Sequence, residues 1–488
     1  MSSEANQKRT FSENFIRFFD RWTPNSLVIA YLLTIIVGVL ALALTDTPFI
    51  NFKPNVSAGE IARGGMAGSL VEAWGLGFWT LLELAMQMAL ILITGSLIAG
   101  SPPVRAFLYK VASKPNNMGQ AIILVMAIIP IINWFHFGLG IMLGIHLGRH
   151  VIYAAKRKGY KLHAPLFVAL LYACGITGIG ISQIAPIFGA GSGMIKNIIF
   201  RNNPEIAAMM PERVPLSESV FLPQNIIMCL LVLAAVFGII WLMRPRKESN
   251  YVEPSEELIV EIEGQAKMMM EMMKKKKETK AASPAEWLDN SIIPSLAIGI
   301  FGIIWAVRFF ATGGQLNFNN FNMLMIIIGL LLCGSANQFS RGVQQAIGQT
   351  WGIIIQFPFY AGIFGLITYT GLNEVIVGFF MSFATTENWP FVSYVYTSIV
   401  NIAVPNGAAK FFIVAPYALE VAAKLDVDIG TMLVSYVAGD VSTNGFLPFW
   451  ALPYLAMFKL DFKKILPYTA VGTTAAYIIF SIFLIFVF

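Results

Sequence analysis

Long apolar stretches separated by short polar segments dominate this chain. The clearest run over 25–44, 78–100, 164–191, 221–243, 292–310 and 465–488. An α-helix needs about 20 such residues to cross the hydrocarbon core of a bilayer. The pattern therefore predicts an all-α polytopic membrane protein.

Two further apolar stretches are interrupted near their middle by polar and glycine-rich residues. The stretch 119–147 breaks at 132–138, and the stretch 391–424 breaks at 400–407. Lipid offers no partner to free backbone N–H and C=O groups, so irregular backbone at membrane depth survives only inside protein or around a water-filled site. Matched breaks in two halves of a chain indicate the binding site of a secondary transporter.

The distribution of lysine and arginine predicts the topology, because cytoplasmic loops carry an excess of both. Basic clusters at the N-terminus, 105–114, 149–161, 274–277 and 459–464 all fall on one side if 119–147 and 391–424 are re-entrant hairpins that enter from opposite faces. This threading leaves about nine transmembrane helices, near 25–46, 78–101, 164–190, 220–243, 290–312, 322–335, 347–371, 429–457 and 466–488.

The same threading divides the chain into a cytoplasmic N-terminal segment and two membrane repeats joined by a linker. The segments are 1–24, the first repeat 25–243, the charged cytoplasmic linker 244–289, predicted as a solvated helix, and the second repeat 290–488. Landmark residues recur between the repeats at offsets of 269 (Gln87 and Gln356), 268 (Asn133 and Asn401) and 264 (Gly175 and Gly439). The repeats lie in opposite senses in this topology, which is the inverted-repeat geometry of alternating access.

A second pair of breaks, at 172–183 and 436–445, predicts two broken helices. Glycines allow the backbone to unwind there, and the N–H groups of a restarting half-helix favour an anion. Ser, Thr and Asn oxygens beside unwound carbonyls suit a small cation. The candidate substrate-binding residues are Asn133, Trp134, Gly138, Ser182, Asn401, Pro405, Asn406, Gly407, Lys410 and Asn444, and the candidate cation-binding residues are Asp440, Ser442, Thr443 and Thr177.

Charged residues within the spans deserve separate weight, since an unpaired charge in the membrane is costly and its presence indicates function. Asp440 is expected to bind the coupling ion or a proton. Lys410 either extends outward from its hairpin or attracts a carboxylate, and a pairing with Asp440 would neutralise both.

Composition agrees with a membrane protein and argues against other classes. The chain of 488 residues is 57% hydrophobic and 12% charged, with a mean hydropathy of +0.69, whereas a soluble protein carries about 25% charged residues. The net charge of +6 comes from loops beside the membrane and does not indicate a nucleic-acid partner. No phosphate-binding loop or nucleophile elbow is present, and His146 and His150 read as histidines of an interfacial helix. We expect no enzymatic activity, cofactor or metal.

Several strings resemble the bacterial short-chain fatty acid transporter family of the ion transporter superfamily. They are Ile132-Asn133-Trp134, Gln356-Phe-Pro-Phe-Tyr-Ala-Gly362, Asn401-Ile-Ala-Val-Pro405 and Pro448-Phe-Trp-Ala-Leu-Pro453. The resemblance implies two opposed hairpins, two broken helices, often a homodimer, and uptake of acetoacetate or butyrate across the bacterial cytoplasmic membrane. The cytoplasmic N-terminus is expected from the basic clusters. The chain departs from the family pattern after Pro405, where Asn406-Gly407-Ala408-Ala409-Lys410 replaces a Ser and a Gly run before His.

Three functions remain open at this point. The first is cation symport of a short-chain carboxylate, with Na⁺ or H⁺ as the coupling ion. The second is a passive facilitator for small monocarboxylates, and the third is the same fold with another organic anion. Paired hairpins and broken helices favour the first, because a channel needs no symmetric mobile site.

Overall fold

The computed structural model describes residues 26–52, 67–176, 178–191, 193–200, 204–265, 267, 283–348 and 350–488. These residues are helical or irregular, and none of them is in a strand. The predicted cation ligand Thr177, the segment 1–24 and the linker residues 268–282 lie outside the described residues.

The described residues of 26–242 form helices α1 to α11. Their bounds are Ser26–Leu44, Leu70–Gly77, Leu82–Gly100, Pro102–Ala112, Met118–Phe135, Phe137–Lys158, Ala164–Ile176, Ile184–Gly189, Met194–Phe200, Pro204–Met209 and Pro223–Leu242. A helical stretch in the linker, 256–265, is α12.

Helices α13 to α23 make up the described remainder of the chain. Their bounds are Pro284–Asn290, Ile292–Ala311, Phe318–Cys333, Ala336–Ile347, Trp351–Tyr369, Leu372–Met381, Trp389–Ala403, Gly407–Lys424, Ile429–Val441, Leu452–Phe458 and Phe462–Phe486. Two short 3₁₀ turns, Asn444–Phe446 and Phe449–Ala451, lie between α21 and α22.

Eight of the described helices are long and apolar enough to cross a membrane: α1, α3, α5, α6, α11, α14, α17 and α23. The all-α polytopic architecture is therefore confirmed. Only 17% of the apolar window of α1 and of α14 is buried, against 61% for α3 and α17. Helices α1 and α14 thus turn most of their apolar surface outward, and α3 and α17 belong to the interior. The predicted span near 322–335 is the 16-residue α15.

Helices α5 and α6 form an antiparallel hairpin that turns at His136. At its open end, Lys158 Nζ donates hydrogen bonds to the carbonyl oxygens of Lys114 (3.3 Å) and Pro115 (2.9 Å). The arms contain 18 and 22 residues, or about 27 and 33 Å of helix. The second arm ends at Lys158 and not near 147, since the basic residues of its last turn favour the negative end of the helix dipole.

Helices α19 and α20 form the second hairpin, which turns at 404–406. Near its open end, Trp389 Nε1 donates to the carbonyl oxygen of Ala418 (3.1 Å), and Thr386 Oγ1 donates to that of Leu425 (2.8 Å). Both predicted breaks are therefore helix–turn–helix hairpins. Their entry from opposite faces of the membrane stays a prediction.

Both predicted broken helices are observed as well. Helix α7 ends at Ile176, and helix starts again at Ile184 after irregular backbone over 178–183. Helix α21 ends at Val441, and two 3₁₀ turns precede α22. Helix α21 is buried along its whole length, so the free backbone groups at its end are enclosed by protein.

Part of the linker is docked onto the membrane helices and is not solvated on all sides, while the expectation of a solvated helix over 268–282 concerns residues outside the described ones. The buried Arg149 of α6 donates to Glu261 Oε1 (2.9 Å) and Gln265 Oε1 (3.1 Å), and also to the carbonyl oxygen of Met457 in α22. Leu258, a residue of α12, is buried. Arg149 therefore connects the linker to α6, the second arm of the first hairpin, and to α22 of the second broken helix. The ends that meet here are those predicted to face the cytoplasm.

Candidate functional site

A buried ion pair lies at the tip of the second hairpin. Lys410 Nζ lies 2.7 Å from Asp440 Oδ1 and donates a hydrogen bond of 2.6 Å to Asn401 Oδ1. The side chain of Lys410 is 0% exposed and that of Asp440 is 10% exposed. Helix α20 supplies the lysine in its first turn, while the end of α21 supplies the aspartate. Asp440, one of the residues predicted to hold a cation, is thus bound to an ammonium group of the protein itself.

The amide of Asn401 connects this ion pair to the second broken helix. Its Oδ1 accepts from Lys410, and its Nδ2 donates to Thr443 Oγ1 (2.8 Å) and Asn444 Oδ1 (2.9 Å). The side chain is 0% exposed. Movement of the hairpin tip relative to 443–444 would therefore break buried hydrogen bonds.

The turn of the second hairpin is held by hydrogen bonds to its backbone. Asn406 Oδ1 accepts from the backbone N–H groups of Ala408 (3.1 Å) and Ala409 (3.2 Å), and so caps α20. Trp450 Nε1 donates to the carbonyl oxygen of Pro405 (2.8 Å).

Glycine is required at 407 because the chain passes directly over the carboxylate of Asp440. A Cβ atom at this position would collide with the carboxylate oxygens. The carbonyl oxygen of Gly407 accepts a hydrogen bond of 2.6 Å from the Tyr436 hydroxyl. Tyrosine, glycine and aspartate thus fix the distance between α20 and α21.

The tip of the first hairpin is neutral and rests on the first break. The N–H of Ile181 donates to the carbonyl oxygen of Trp134 (2.8 Å), and Ser182 Oγ accepts from the N–H of Phe137 (2.8 Å). A Cβ atom at Gly180 would overlap the Trp134 carbonyl, so only glycine permits this approach. The contact joins the hairpin to the irregular backbone of 178–183.

Three other polar or small residues complete this tip. Asn133 is 3% exposed, and its Oδ1 has no hydrogen-bond partner among the described residues. His136 Nδ1 accepts from the N–H of Leu139 (3.1 Å), which caps α6. Gly138 lies close to the carbonyl oxygen of Ile91 in α3.

A cavity lies between the two hairpins and the two breaks. Its wall combines polar groups with aliphatic and aromatic side chains. The lining residues are Met88, Leu92, Phe137, Ile141, Tyr172, Gly175, Gln183, Ile184, Ile353, Asn406, Gly407, Ala408, Asp440, Val441, Asn444, Trp450 and Tyr454. Both hairpins and both broken helices contribute to this one cavity.

The structure brings some predicted residues together and separates others. Asn406, Gly407, Asp440 and Asn444 line the cavity, and the predicted residues Asn401, Lys410 and Thr443 are bonded directly behind them. Ser442 is 3.0 Å from Ser398 Oγ and does not line the cavity. Asn133, Trp134 and Gly138 belong to the tip of the first hairpin, and Ser182 bonds this tip from the first break. Pro405 contributes its carbonyl oxygen to Trp450.

Sequence reasoning did not assign two tyrosines that support the site. The Tyr172 hydroxyl donates to the carbonyl oxygen of Asn444 (2.8 Å), and Tyr436 bonds Gly407 as described above. Each lies three residues before the glycine of its break, Gly175 or Gly439, so the two share the offset of 264. That shared offset is the signal that identifies them. Within the described part of the chain, no group of three or more His, Cys, Asp or Glu side chains could hold a metal ion.

The fold is similar to that of solved membrane transporters. The YdaH transporter of Alcanivorax borkumensis superposes with a TM-score of 0.54 at 14% identity, covering 94% of this chain and 98% of that one. MtrF of Neisseria gonorrhoeae gives a TM-score of 0.54 at 11% identity, covering 97% of each chain. At these identities the likeness concerns the fold alone, and it is the fold of a polytopic transporter.

The family follows from sequence. Residues 8–487 match the family model described as short chain fatty acid transporter. A relative named for short-chain fatty acid transport in Escherichia coli (strain K12) is 32% identical over 474 residues, 96% of this chain and 97% of the relative. One from Haemophilus influenzae (strain ATCC 51907 / DSM 11121 / KW20 / Rd) is 30% identical over 479 residues, with the same coverage. The chain belongs to the short-chain fatty acid transporter family, a family of multi-pass membrane proteins.

Proposed function

We propose that this protein is a secondary active transporter that carries short-chain monocarboxylates across the membrane together with a cation, by alternating access. Acetoacetate and butyrate are the proposed substrates. The observation that carries the proposal is the buried Lys410–Asp440 pair, whose aspartate forms part of the wall of a cavity shared by both hairpins.

Charge balance supports coupling to a cation. The Lys410–Asp440 pair is neutral as a unit, and it lies in a protein interior where an unpaired charge costs several kcal/mol. A carboxylate that enters the cavity adds one negative charge to this region. Its binding becomes favourable when one positive charge enters as well, so substrate and cation enter together.

Lys410 and Asp440 have complementary roles in this proposal. An ammonium group has three N–H donors, of which Asn401 and Asp440 accept two. The substrate carboxylate binds the ammonium and weakens its bond to Asp440. Asp440 then holds the coupling cation, either as a proton on the carboxylate or as Na⁺ shared with the oxygens of Thr443 and Asn444. Loss of the cation restores the original pair and releases the substrate.

The cavity wall supports a short apolar tail on the substrate. Leu92, Ile141 and Ile353 provide aliphatic surface, and Phe137 and Trp450 provide aromatic surface, opposite the polar groups of Asp440 and Asn444. Each buried CH₂ contributes about 0.8 kcal/mol to binding. A monocarboxylate of a few carbons fits this arrangement better than a dianion, since Lys410 is the one cationic side chain among the described residues bonded at the hairpin tips.

Uptake into liposomes tests the proposal. Purified protein is reconstituted, and accumulation of radiolabelled butyrate or acetoacetate is measured under a Na⁺ gradient alone and under a pH gradient alone. Accumulation above equilibrium under one gradient is expected and identifies the coupling ion. Flux that only equilibrates under both gradients would indicate a passive facilitator. Flux of neither acid, with transport of another organic anion, would overturn the substrate assignment.

We further propose that the N-terminus and the linker 244–289 lie in the cytoplasm of a bacterial cell, and that the transporter functions as a homodimer. The clustering of lysine and arginine supports the orientation, and the outward apolar surface of α14 is available for a second copy. Labelling of single cysteines introduced at Lys247 and Glu387 by an impermeant maleimide tests the orientation. Only Glu387→Cys should react from outside intact cells.

A further inference from the structure

A second cluster of polar side chains lies between α4 and α6, away from the cavity. The two helices run side by side in the same direction. The ring of Tyr109 packs edge-on against that of His150, with centroids 5.9 Å apart, and the Tyr109 hydroxyl accepts a hydrogen bond of 2.9 Å from Arg157. Arg105 lies one turn before Tyr109, and His146 one turn before His150. The guanidinium of Arg105 is therefore at the level of the two histidines.

Two nitrogen atoms of this cluster are buried without a hydrogen-bond partner among the described residues. They are Nε of Arg105 and Nε2 of His150. No carboxylate in the described part of the chain forms an ion pair with Arg105. Buried polar groups are nearly always hydrogen-bonded, so two nitrogens without partners in one cluster indicate that an acceptor belongs there.

The acceptor must be negatively charged, because its surroundings are basic. Arg157 and Lys158 lie at the end of α6 next to the cluster, and Lys110 follows on α4. A neutral acceptor such as water would satisfy the hydrogen bonds but leave the positive charge of Arg105 uncompensated in a half-buried position. An anion with several oxygens satisfies both requirements.

The position of the cluster favours an anion carried by a lipid. Helix α4 begins with two prolines and presents Phe107, which is 57% exposed, next to the cluster in sequence. An amphipathic helix that exposes an aromatic ring beside basic residues is typical of the membrane–water interface. Basic pockets between membrane helices are known sites for phosphorylated headgroups.

We propose that Arg105 and His150 bind the phosphoryl group of an anionic membrane lipid. The guanidinium donates to the phosphoryl oxygens through Nε, the site that lacks a partner, and His150 donates through Nε2 as the tautomer or protonation state that carries hydrogen there. The lipid thereby holds α4 against an arm of the first hairpin.

A thermal-unfolding titration of the full-length protein in detergent tests this site. The probes are short-chain phosphatidylglycerol, short-chain phosphatidylcholine and inorganic phosphate, added separately. Phosphatidylglycerol is expected to raise the unfolding midpoint more than phosphatidylcholine does. Arg105→Gln and His150→Gln should each weaken the apparent affinity for phosphatidylglycerol about tenfold, while Arg246→Gln, at an exposed arginine outside the cluster, should leave it unchanged.

Three results would overturn the proposal. Equal shifts with both lipids would show a general detergent–lipid effect. If inorganic phosphate raised the unfolding midpoint as much as phosphatidylglycerol does, the site would be assigned to a soluble anion. Identical titrations of Arg105→Gln, His150→Gln and Arg246→Gln would place the lipid elsewhere. If Arg105→Gln does not fold, the comparison of His150→Gln with Arg246→Gln decides between these outcomes.

Discussion

The two hairpin tips carry asparagine at corresponding positions, but their surroundings differ in charge. Asn401 bonds an ammonium group, a hydroxyl and a second amide, and it lies beside a buried aspartate. The Oδ1 of Asn133 is buried with no hydrogen-bond partner among the described residues. The first tip is held by backbone contacts at Trp134 and by Ser182.

This difference separates what the two halves share from what only one of them has. Both have a hairpin, a break and a glycine that permits a close approach, of Gly180 to the Trp134 carbonyl in one and of Gly407 to the Asp440 carboxylate in the other. The ion pair occurs in the second half alone among the described residues, since Met142 corresponds to Lys410 at the offset of 268. We infer that both halves shape the cavity, while the second provides its charge.

Removal of Lys410 should have the largest effect. Lys410→Met leaves Asp440 buried without its cation, and loss of one partner of a buried pair costs about 3–5 kcal/mol. Transport should be lost. The double variant Lys410→Met/Asp440→Asn should recover most of the stability and none of the transport, as measured by thermal unfolding and liposome uptake. Met142→Leu, at the corresponding neutral position, should cost about 1.5 kcal/mol or less. Equal losses for Lys410→Met and Met142→Leu would contradict the assignment.

The second-largest difference in stability is expected between alanine substitutions of the asparagines at the two hairpin tips. Asn401→Ala removes hydrogen bonds that include one to a charged group, for which about 1.5–3 kcal/mol is typical. Asn133→Ala removes no hydrogen bond made by Oδ1 to the described residues, and it should cost less stability by at least about 1.5 kcal/mol. Equal unfolding midpoints for the two variants would show that the two asparagines contribute equally to stability.

Alanine substitution of the two closely packed glycines, one in each half, should reduce stability by similar amounts. Gly407→Ala places a methyl group against the Asp440 carboxylate, and Gly180→Ala places one against the Trp134 carbonyl. Overpacking of this kind costs about 1–3 kcal/mol. Gly238→Ala, in α11 with open space around it, is the control and should cause no loss. A tolerated Gly407→Ala would mean that α20 and α21 are not held at the observed distance.

The smallest loss of stability is expected at an exposed ion pair, which serves as the reference for the buried pair. Lys161 lies 2.8 Å from Glu253, with side chains 51% and 52% exposed. Pairs in contact with solvent contribute about 0–1 kcal/mol, so Lys161→Gln should change the unfolding midpoint little at any salt concentration. If Lys161→Gln lowered stability as much as Lys410→Met does, the predicted difference between the exposed and the buried ion pair would be wrong.

The sequence predicted the backbone features of the site better than its contacts. Polar and glycine-rich breaks in apolar stretches located both hairpins and both broken helices, because membrane depth permits such backbone only where protein encloses it. The predicted end of the first hairpin, near 147, was wrong. Apolar composition declines there, but the helix continues to Lys158.

Side-chain partners depend on packing between distant segments, and a single sequence contains little information about that packing. The pairing of Lys410 with Asp440 was one of two alternatives, and the anchoring of Arg149 by the linker was not anticipated. The tyrosine pair could have been found from the repeat offset. The roles of the candidate residues in substrate and cation binding remain predictions.

The most direct test of the coupling role of the ion pair compares wild type with Asp440→Asn in liposomes. Two rates are measured for labelled butyrate, accumulation under the cation gradient that drives wild type and exchange at equilibrium without a gradient. The account predicts that Asp440→Asn retains exchange, because Lys410 still binds the carboxylate, but loses accumulation above equilibrium. Gradient-driven accumulation by Asp440→Asn at the wild-type level would contradict it.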